Sequence, residues 1–252
     1  MACNPIQAPE DFDSLASFLY ENFHAEDDIV QDGVANLTDW VNGNEEVLRQ
    51  GNRIAALSIE ALDSVDVTVV EPNLLGFATS YDFSYPVEDI AYANFAVHPR
   101  DVFTNPDAIN EREYISDPEC FVDQECLFLR HDSVLQRYLP FGLEMVMDFA
   151  TDVRWVETDR GRAFLQRRWL TKEVEINKDW LQLKAGYALS FVMPMEDGSA
   201  KQVEMVWGDA ILGDLPVPED GAFLIAIDIM GNILEKFEEY LDENGNPASR
   251  RR

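Results

Sequence analysis

The chain has 252 residues, and its 48 acidic against 19 basic side chains give a formal charge of −29 at pH 7. Its hydrophobic content of 46% is typical of a globular protein and not of a disordered one. So negative a surface repels phosphate, which argues against nucleic acid as a partner and against electrostatic docking on anionic lipid. A chain of this length forms one large domain or two small ones.

The N-terminus, Met1-Ala2-Cys3, places a small residue directly before a cysteine. This pattern resembles the end of a processed bacterial lipoprotein signal, which implies that Cys3 is lipidated and that Met1 is an added start. An ordinary cytoplasmic N-terminus with a chance cysteine explains the same residues. Localisation therefore stays open between an exported lipoprotein, periplasmic or at the cell surface, and a cytoplasmic protein. Membrane contact is expected only through such an anchor.

The other two cysteines, Cys120 and Cys126, are an even pair that closes a short loop. In an exported chain we expect a disulfide between them, with Cα atoms about 4.4–6.8 Å apart. In a reducing compartment both would be free thiols.

Residues 1–62 are predicted to be a helical segment. Apolar residues at helical spacing predict one helix from Pro9 to Phe23 and a second from Asp27 to Arg49, interrupted near Gly43. A short third helix is predicted from Ile54 to Leu62. The apolar stripes are narrow, so we expect these helices to pack on the main body or on one another.

The next part of the chain mixes short elements. β-Branched residues predict a strand at Asp66–Val70, and alternation predicts another from Gly76 to Tyr85, after which Pro86 begins a helix. The proline-broken stretch from His98 to Pro118 predicts a loop or short helical pieces. A further strand is predicted from Glu125 to Leu139.

The strongest local signal is alternation with period two. From Phe141 to Trp155 the odd positions are mostly apolar and the even positions mostly small or charged, which predicts a long strand. Leu181–Met193 and Val203–Ile211 repeat the pattern, and Phe164–Leu170 is a shorter version. The breaks between these runs are too short for crossover helices, so the strands are predicted to form an antiparallel meander.

The last long element is a helix predicted from Glu219 to Leu241, after Pro216 and Pro218. Its apolar stripe comprises Phe223, Ile227, Met230, Leu234, Phe237 and Leu241. Such a helix needs an extended apolar partner, and the meander supplies one.

The order of strand, proline-initiated helix, loop, antiparallel strands and long helix resembles the START-like (SRPBCC, helix-grip) superfamily over about residues 66–242. The stretch Ser84–Ile90, SYPVEDI, is similar to the family's turn from first strand into first helix. The resemblance implies an α+β fold: a curved antiparallel sheet of six or seven strands wrapped around the C-terminal helix, with an apolar cavity between them. Residues 1–62 form an N-terminal helical extension, residues 63–242 the α+β domain, and residues 243–252 a flexible tail.

Few reactive motifs are present. The sequence contains no glycine-rich phosphate loop, no G-x-S-x-G, no H-E-x-x-H and only three histidines. No metal or other cofactor is therefore expected.

Four polar residues interrupt apolar strand faces: His131, Thr151, Arg167 and Asp209. A buried unpaired charge costs several kcal/mol, so these side chains must face one another, water or a ligand. An Arg167–Asp209 ion pair would be a purely structural explanation. In a fold with a cavity they would instead hold a ligand head group. The residues predicted to bind ligand are His131, Phe149, Thr151, Trp155, Arg167, Trp169, Trp207, Asp209, Ile227 and Met230.

The sequence thus predicts binding or carriage of an apolar or amphipathic, lipid-like small molecule. One alternative is a superfamily enzyme of cyclase or dehydratase type, with His131 and Asp209 as acid and base. Another is a structural or interaction module with a filled core. Because no nucleophile–base set is recognisable, binding ranks above catalysis. The sequence does not indicate an oligomeric state.

Overall fold

The computed structural model of the protein describes residues 6–66, 73–102, 108–139, 142–212 and 234–244. The helices in these ranges are α1 (Phe12–Glu21), α2 (Asp27–Gly43), α3 (Glu45–Gln50), α4 (Ile59–Asp63), α5 (Val87–Phe95), α6 (Pro99–Val102), α7 (Pro118–Val122) and α8 (residues 234–244). The strands are β1 (Asn52–Ile54), β2 (Leu75–Phe83), β3 (Ala108–Tyr114), β4 (Phe128–Leu139), β5 (Leu143–Thr158), β6 (Gly161–Leu170), β7 (Glu175–Ile176), β8 (Leu181–Pro194) and β9 (Ala200–Leu212).

The described strands form one open antiparallel sheet in the order β1-β2-β9-β8-β6-β5-β4-β3, and the short β7 pairs with β5. The hairpins β5–β6 and β8–β9 turn at Gly161 and Gly198, whose φ angles of 123° and 86° suit glycine. The predicted α+β class with an antiparallel sheet is confirmed. The nine described strands exceed the predicted six or seven, because β1 and β3 extend the two edges and the short β7 pairs with β5.

The N-terminal helices cover one face of the sheet, which we call the outer face. Leu15 and Leu19 of α1 share a buried cluster with Leu165, Leu189 and Met205 of the sheet. Because α1, α2 and α4 contribute to this cluster, the N-terminal segment is part of the same core as the meander. The expectation that these helices pack on the main body is therefore confirmed.

The opposite face, which we call the grip face, carries Val153 and Phe164. Helices α5, α7 and α8 cover it, and Phe237 and Leu241 of α8 are buried in the same cluster. Pro86 is the N-cap of α5, so the predicted helix start is confirmed. The rest of the predicted long helix, up to residue 233, lies outside the described residues.

A β-bulge in β8 changes which side chains meet. The register against β9 shifts between Leu183 and Ala185, so Leu183 joins a grip-face cluster while Ala185, Tyr187 and Leu189 lie on the outer face. The alternation predicted for Leu181–Met193 therefore does not define a single face. Because Lys184 is an extra residue in β8, odd-numbered side chains before it lie on the grip face and odd-numbered side chains after it lie on the outer face.

Other differences from the predicted elements have simple causes. The expected helix at Ile54–Leu62 is a strand end followed by a helix of five residues, which Ser58 caps by accepting from the Ala61 amide. The stretch after His98, expected to be a loop or short helical pieces, contains the short helix α6 and also the strand β3. This strand is largely polar because it lies at the sheet edge, where alternation is weak. The strand predicted at Asp66–Val70 lies outside the described residues except for Asp66, which is not in a strand.

Candidate functional site

A row of polar side chains crosses the middle of the grip face. His131 on β4 lies opposite Thr151 on β5, and Thr151 lies opposite Arg168 on β6. Directly opposed residues share a face and have Cβ atoms about 4.5–5.5 Å apart. The register of three strands therefore brings together an imidazole, a hydroxyl and a guanidinium group.

His131 and Thr151 are buried, and their side chains have no hydrogen-bond partner among the described residues. Their exposed fractions are 3% and 0%. Among the described residues, neither ring nitrogen of His131 nor the hydroxyl of Thr151 has a hydrogen-bond partner. Each such orphaned group costs about 1–3 kcal/mol. Within the described part of the chain, these two side chains have no partner for any of their polar atoms.

His131 is held in its neutral form. Its ring lies 5.6 Å from that of Tyr114 and 6.5 Å from that of Phe95, between centroids. Burial, together with the positive charges of Arg112 and Arg168, lowers the pKa of His131 to about 2. At neutral pH one ring nitrogen therefore carries a proton that it can donate, and the other is able to accept a hydrogen bond.

Apolar residues lie beside this row on the grip face. Met147, Leu170 and Val174 form a buried cluster, against which Phe149 and Leu135 pack. Phe149, predicted to contact ligand, thus lies next to the polar row. The combination of a few polar groups with an apolar wall is typical of small-molecule sites.

The prediction that His131, Arg167 and Asp209 open toward one space is wrong. Arg167 lies on the outer face, where it donates to Asp152 at 3.0 and 3.1 Å and to the Tyr20 carbonyl at 2.9 Å. Asp209 accepts from the Asn73 amide at 3.3 Å, so the supposed Arg167–Asp209 pair does not form. The N-terminal helices cover that face and supply the partners.

The predicted aromatic residues also divide between the faces. Trp169 and Trp207 are buried on the outer face, and the Trp207 indole donates to the Ala55 carbonyl at 2.8 Å. Trp155 is on the grip face, where it stacks on Phe121 with centroids 5.1 Å apart. These three tryptophans are therefore parts of the packed core.

The outer face pairs its buried charges. Burial alone would raise the pKa of Asp152, but hydrogen bonds from His24 and Arg167, with the Arg167 charge, hold it below its usual value. His24 lies 3.0 Å from the Asp152 carboxylate. Arg154 donates to Asp27 and to the Phe23 carbonyl, both at 2.6 Å. This arrangement joins the N-terminal helices to the sheet.

The placement of His131 and Asp209 bears on catalysis. The two residues lie on opposite faces of the sheet, so they cannot act as acid and base on one substrate. His131, with its low pKa, is also a weak base. The specific pair expected for a cyclase or dehydratase is therefore not assembled.

Some predicted site residues lie outside the described residues: Cys3, Ile227 and Met230. Cys120 and Cys126 form a disulfide with Cα atoms 5.3 Å apart, next to α7. In the described part of the chain, no three histidine, cysteine or carboxylate side chains are grouped as metal ligands. No helix there is long and apolar enough to cross a bilayer.

Sequence reasoning missed Arg168. Alternation along β6 suggested Arg167 as the inward residue, because Leu165 and Trp169 flank it with the same parity. Buried residues occur on both faces of β6, so the parity of a position does not show which face it belongs to. Only the pairing of Arg168 with Thr151 reveals its place.

No family model and no curated protein matches the chain. Among solved structures it is similar to a STAR-related lipid transfer protein from Xanthomonas axonopodis, with 13% identity and TM-score 0.45 over 69% of this chain and 90% of that one. A START superfamily protein from Mycobacterium smegmatis matches with 11% identity and TM-score 0.43, over 67% and 97% of the two chains. The structure of Ara h 8.0201 matches with 10% identity and TM-score 0.38, over 68% and 99%.

The described elements follow the order that the sequence predicted from its START-like resemblance. A strand, short helices, an antiparallel meander and a final helix follow one another from β2 to α8. At these identities the likeness concerns architecture and does not identify a ligand.

Proposed function

We propose that the grip face binds an amphipathic small molecule and that His131 and Thr151 hold its polar part. The observation that carries this proposal is the pair of buried polar side chains without partners among the described residues. More than about 90% of buried polar groups in proteins are paired, so two adjacent side chains whose polar atoms are all unpaired among the described residues call for a missing partner. A bound ligand supplies one.

The chemistry of the row restricts the polar part of the ligand. A neutral imidazole and a hydroxyl each donate and accept, so they suit a carboxylate, hydroxyl, carbonyl or amide group. Met147, Phe149 and Leu170 offer apolar contacts to the remainder of the ligand. A lipid-like molecule satisfies both requirements.

The substitution Thr151→Val tests this function, because it removes the hydroxyl at almost constant volume. If that hydroxyl serves a ligand, the unliganded variant keeps its free energy of unfolding or gains up to about 1 kcal/mol. Native mass spectrometry, with organic extraction of the purified protein, is expected to show a bound amphiphile on the parent and less on the variant.

Ser190→Ala is the matched control. Ser190 lies on the same face and donates to Glu204, so this variant is expected to lose stability. The proposal fails if the parent neither carries nor takes up an amphiphile. It also fails if Thr151→Val destabilises the protein as Ser190→Ala does, because the hydroxyl would then have a structural partner.

A further inference from the structure

The grip face has an excess of positive charge in a strongly acidic protein. By strand register, Arg112, Arg137 and Arg168 occupy grip-face positions of β3, β4 and β6. The grip-face positions of the described strands carry two carboxylates, and one of these, Glu157, pairs with Arg162 at 2.6 Å. The chain has 48 acidic side chains, so this local excess is not a consequence of composition.

The arginines are poorly compensated. Arg168 lies 4.0 Å from Glu204, at the limit of an ion pair, and its guanidinium carbon lies 5.1 Å from the Phe149 ring centroid. Arg112 donates to neutral acceptors, the Asn94 carbonyl and the Tyr114 hydroxyl. Arg137 pairs with Met145 through the strand backbone, but its guanidinium group has neither an ion pair nor a hydrogen bond within the described part of the chain. Counted over the grip-face strand positions alone, these three arginines stand against one carboxylate, Glu204, that is not paired with Arg162.

Arg137 and Arg168 act on the same region. Arg137 lies opposite Met145 and Arg168 opposite Thr151, so the two arginines flank one stretch of β5 from its two sides. Burial, and then the positive charge of Arg168, lower the pKa of Arg137. Positions between them on the grip face carry Ser133, Met147 and Phe149. Two partly buried cations that repel each other are stabilised by an anion between them.

We infer that the ligand of the grip face is an anionic amphiphile whose carboxylate or phosphate head group is bound by Arg168 and Arg137, beside His131 and Thr151. This inference rests on the proposed function. The planar guanidinium group suits both anions, because it donates two parallel hydrogen bonds to their oxygens. The apolar cluster around Met147 would then receive the start of the tail.

The test compares three probes with one tail: dodecanoate, dodecyl phosphate and dodecanol. Binding to the full chain after organic extraction is measured at pH 8 by titration calorimetry. We expect both anions to bind at least about tenfold more tightly than dodecanol. Arg168→Gln and Arg137→Gln should each bring that ratio toward one, and Arg168→Lys should retain part of it because the charge remains.

Arg130→Gln is the matched control. Arg130 adjoins His131 in sequence, its side chain is 43% exposed against 40% for Arg168, and it faces Asp152 on the outer side. The variant Arg130→Gln removes one positive charge from the outer face. The tighter binding of dodecanoate and dodecyl phosphate relative to dodecanol should therefore persist in it.

The outcomes separate the two claims. If none of the three probes binds, the proposed function fails. If dodecanol binds as tightly as dodecanoate, or the preference survives in both glutamine variants, amphiphile binding stands and the anionic head group is refuted. If acetate or inorganic phosphate competes as well as the long-chain probes, the tail contributes nothing and the inference is also overturned.

Discussion

Arg167 and Arg168 are adjacent in sequence, yet β6 turns them to opposite faces of the sheet. Arg167 meets a buried carboxylate and a helix carbonyl beneath α1. Arg168 lies over the Phe149 ring, 4.0 Å from Glu204, and opposite Thr151, whose hydroxyl has no partner among the described residues. The outer face thus provides partners for its buried charges, whereas on the grip face His131 and Thr151 have no hydrogen-bond partner among the described residues. The paired charges of the outer face join the helices to the sheet, and we propose that the unpaired groups of the grip face serve a ligand.

Lys201 follows the pattern of the outer face. Its buried ammonium group lies 3.0 Å from both Glu45 and Asp82. With Arg154 and Arg167, it ties the sheet to the N-terminal segment. The helices outside the START-like order are therefore structural partners of the sheet.

The largest expected effect separates the neighbouring arginines. Arg167→Met leaves Asp152 buried without its main cation and is expected to lower the free energy of unfolding by about 3–5 kcal/mol. Arg168→Met should change it by less than about 1 kcal/mol, because the contact to Glu204 is long and half-exposed and the methionine side chain can still pack on the Phe149 ring. Urea unfolding monitored by tryptophan fluorescence measures both. Equal losses would remove the distinction between the faces.

The next effect is a pH dependence that belongs to the grip face. The pKa of His131 is about 2 in the fold and 6.5 by reference, so the unfolded chain binds the proton first as pH falls. The contribution of His131 to the free energy of unfolding is therefore fully present above about pH 6.5. Below that pH the free energy of unfolding falls by up to roughly 1.4 kcal/mol per pH unit.

Urea unfolding at pH 7, 6 and 5 tests this dependence. The substitution His131→Gln should remove most of the slope of the free energy of unfolding against pH. His98→Gln is the control, since His98 has a side chain 52% exposed. An unchanged slope in His131→Gln would mean that His131 is accessible to protons in the folded protein.

The smallest expected effect concerns the disulfide beside α7, at the end of the grip face where Trp155 lies. The Cys120–Cys126 bridge holds α7, whose Phe121 stacks on Trp155. For so short a loop the bridge contributes about 2 kcal/mol. Cys120→Ser with Cys126→Ser should lower stability by that amount and leave amphiphile binding unchanged, because the His131–Thr151 row is elsewhere on the sheet. Loss of binding in a folded variant would extend the site to α7.

Thiol counting of the parent in denaturant, without reductant, checks the bridge itself. We expect neither Cys120 nor Cys126 to react. Two reactive thiols would contradict the bridge.

The sequence could predict what depends on short-range periodicity. The alternation through β5, the proline-capped start of α5 and the interruption after Gly43 all rest on local physics. The faces were harder to assign, because both sides of the sheet are buried and alternation then loses its meaning. Lys184 added a bulge that no local rule indicated.

The candidate site was predicted in part. His131 and Thr151 were recognised as polar residues on an apolar face, and register places them side by side. Arg167 and Asp209 were grouped with them because their strands share the alternation, although they belong to the other face. Long-range pairing decides which polar residues meet, and one sequence does not contain that information.

The most direct test of the account is NMR of the histidine side chains, because the chain has only three of them. His24 and His98 have side chains 52% exposed and serve as internal references. Addition of dodecanoate to extracted protein is expected to shift the imidazole resonances of His131, and to leave those of His24 and His98 in place. If dodecanoate binds while the His131 resonances stay unchanged, the unpaired row on the grip face is not the ligand site.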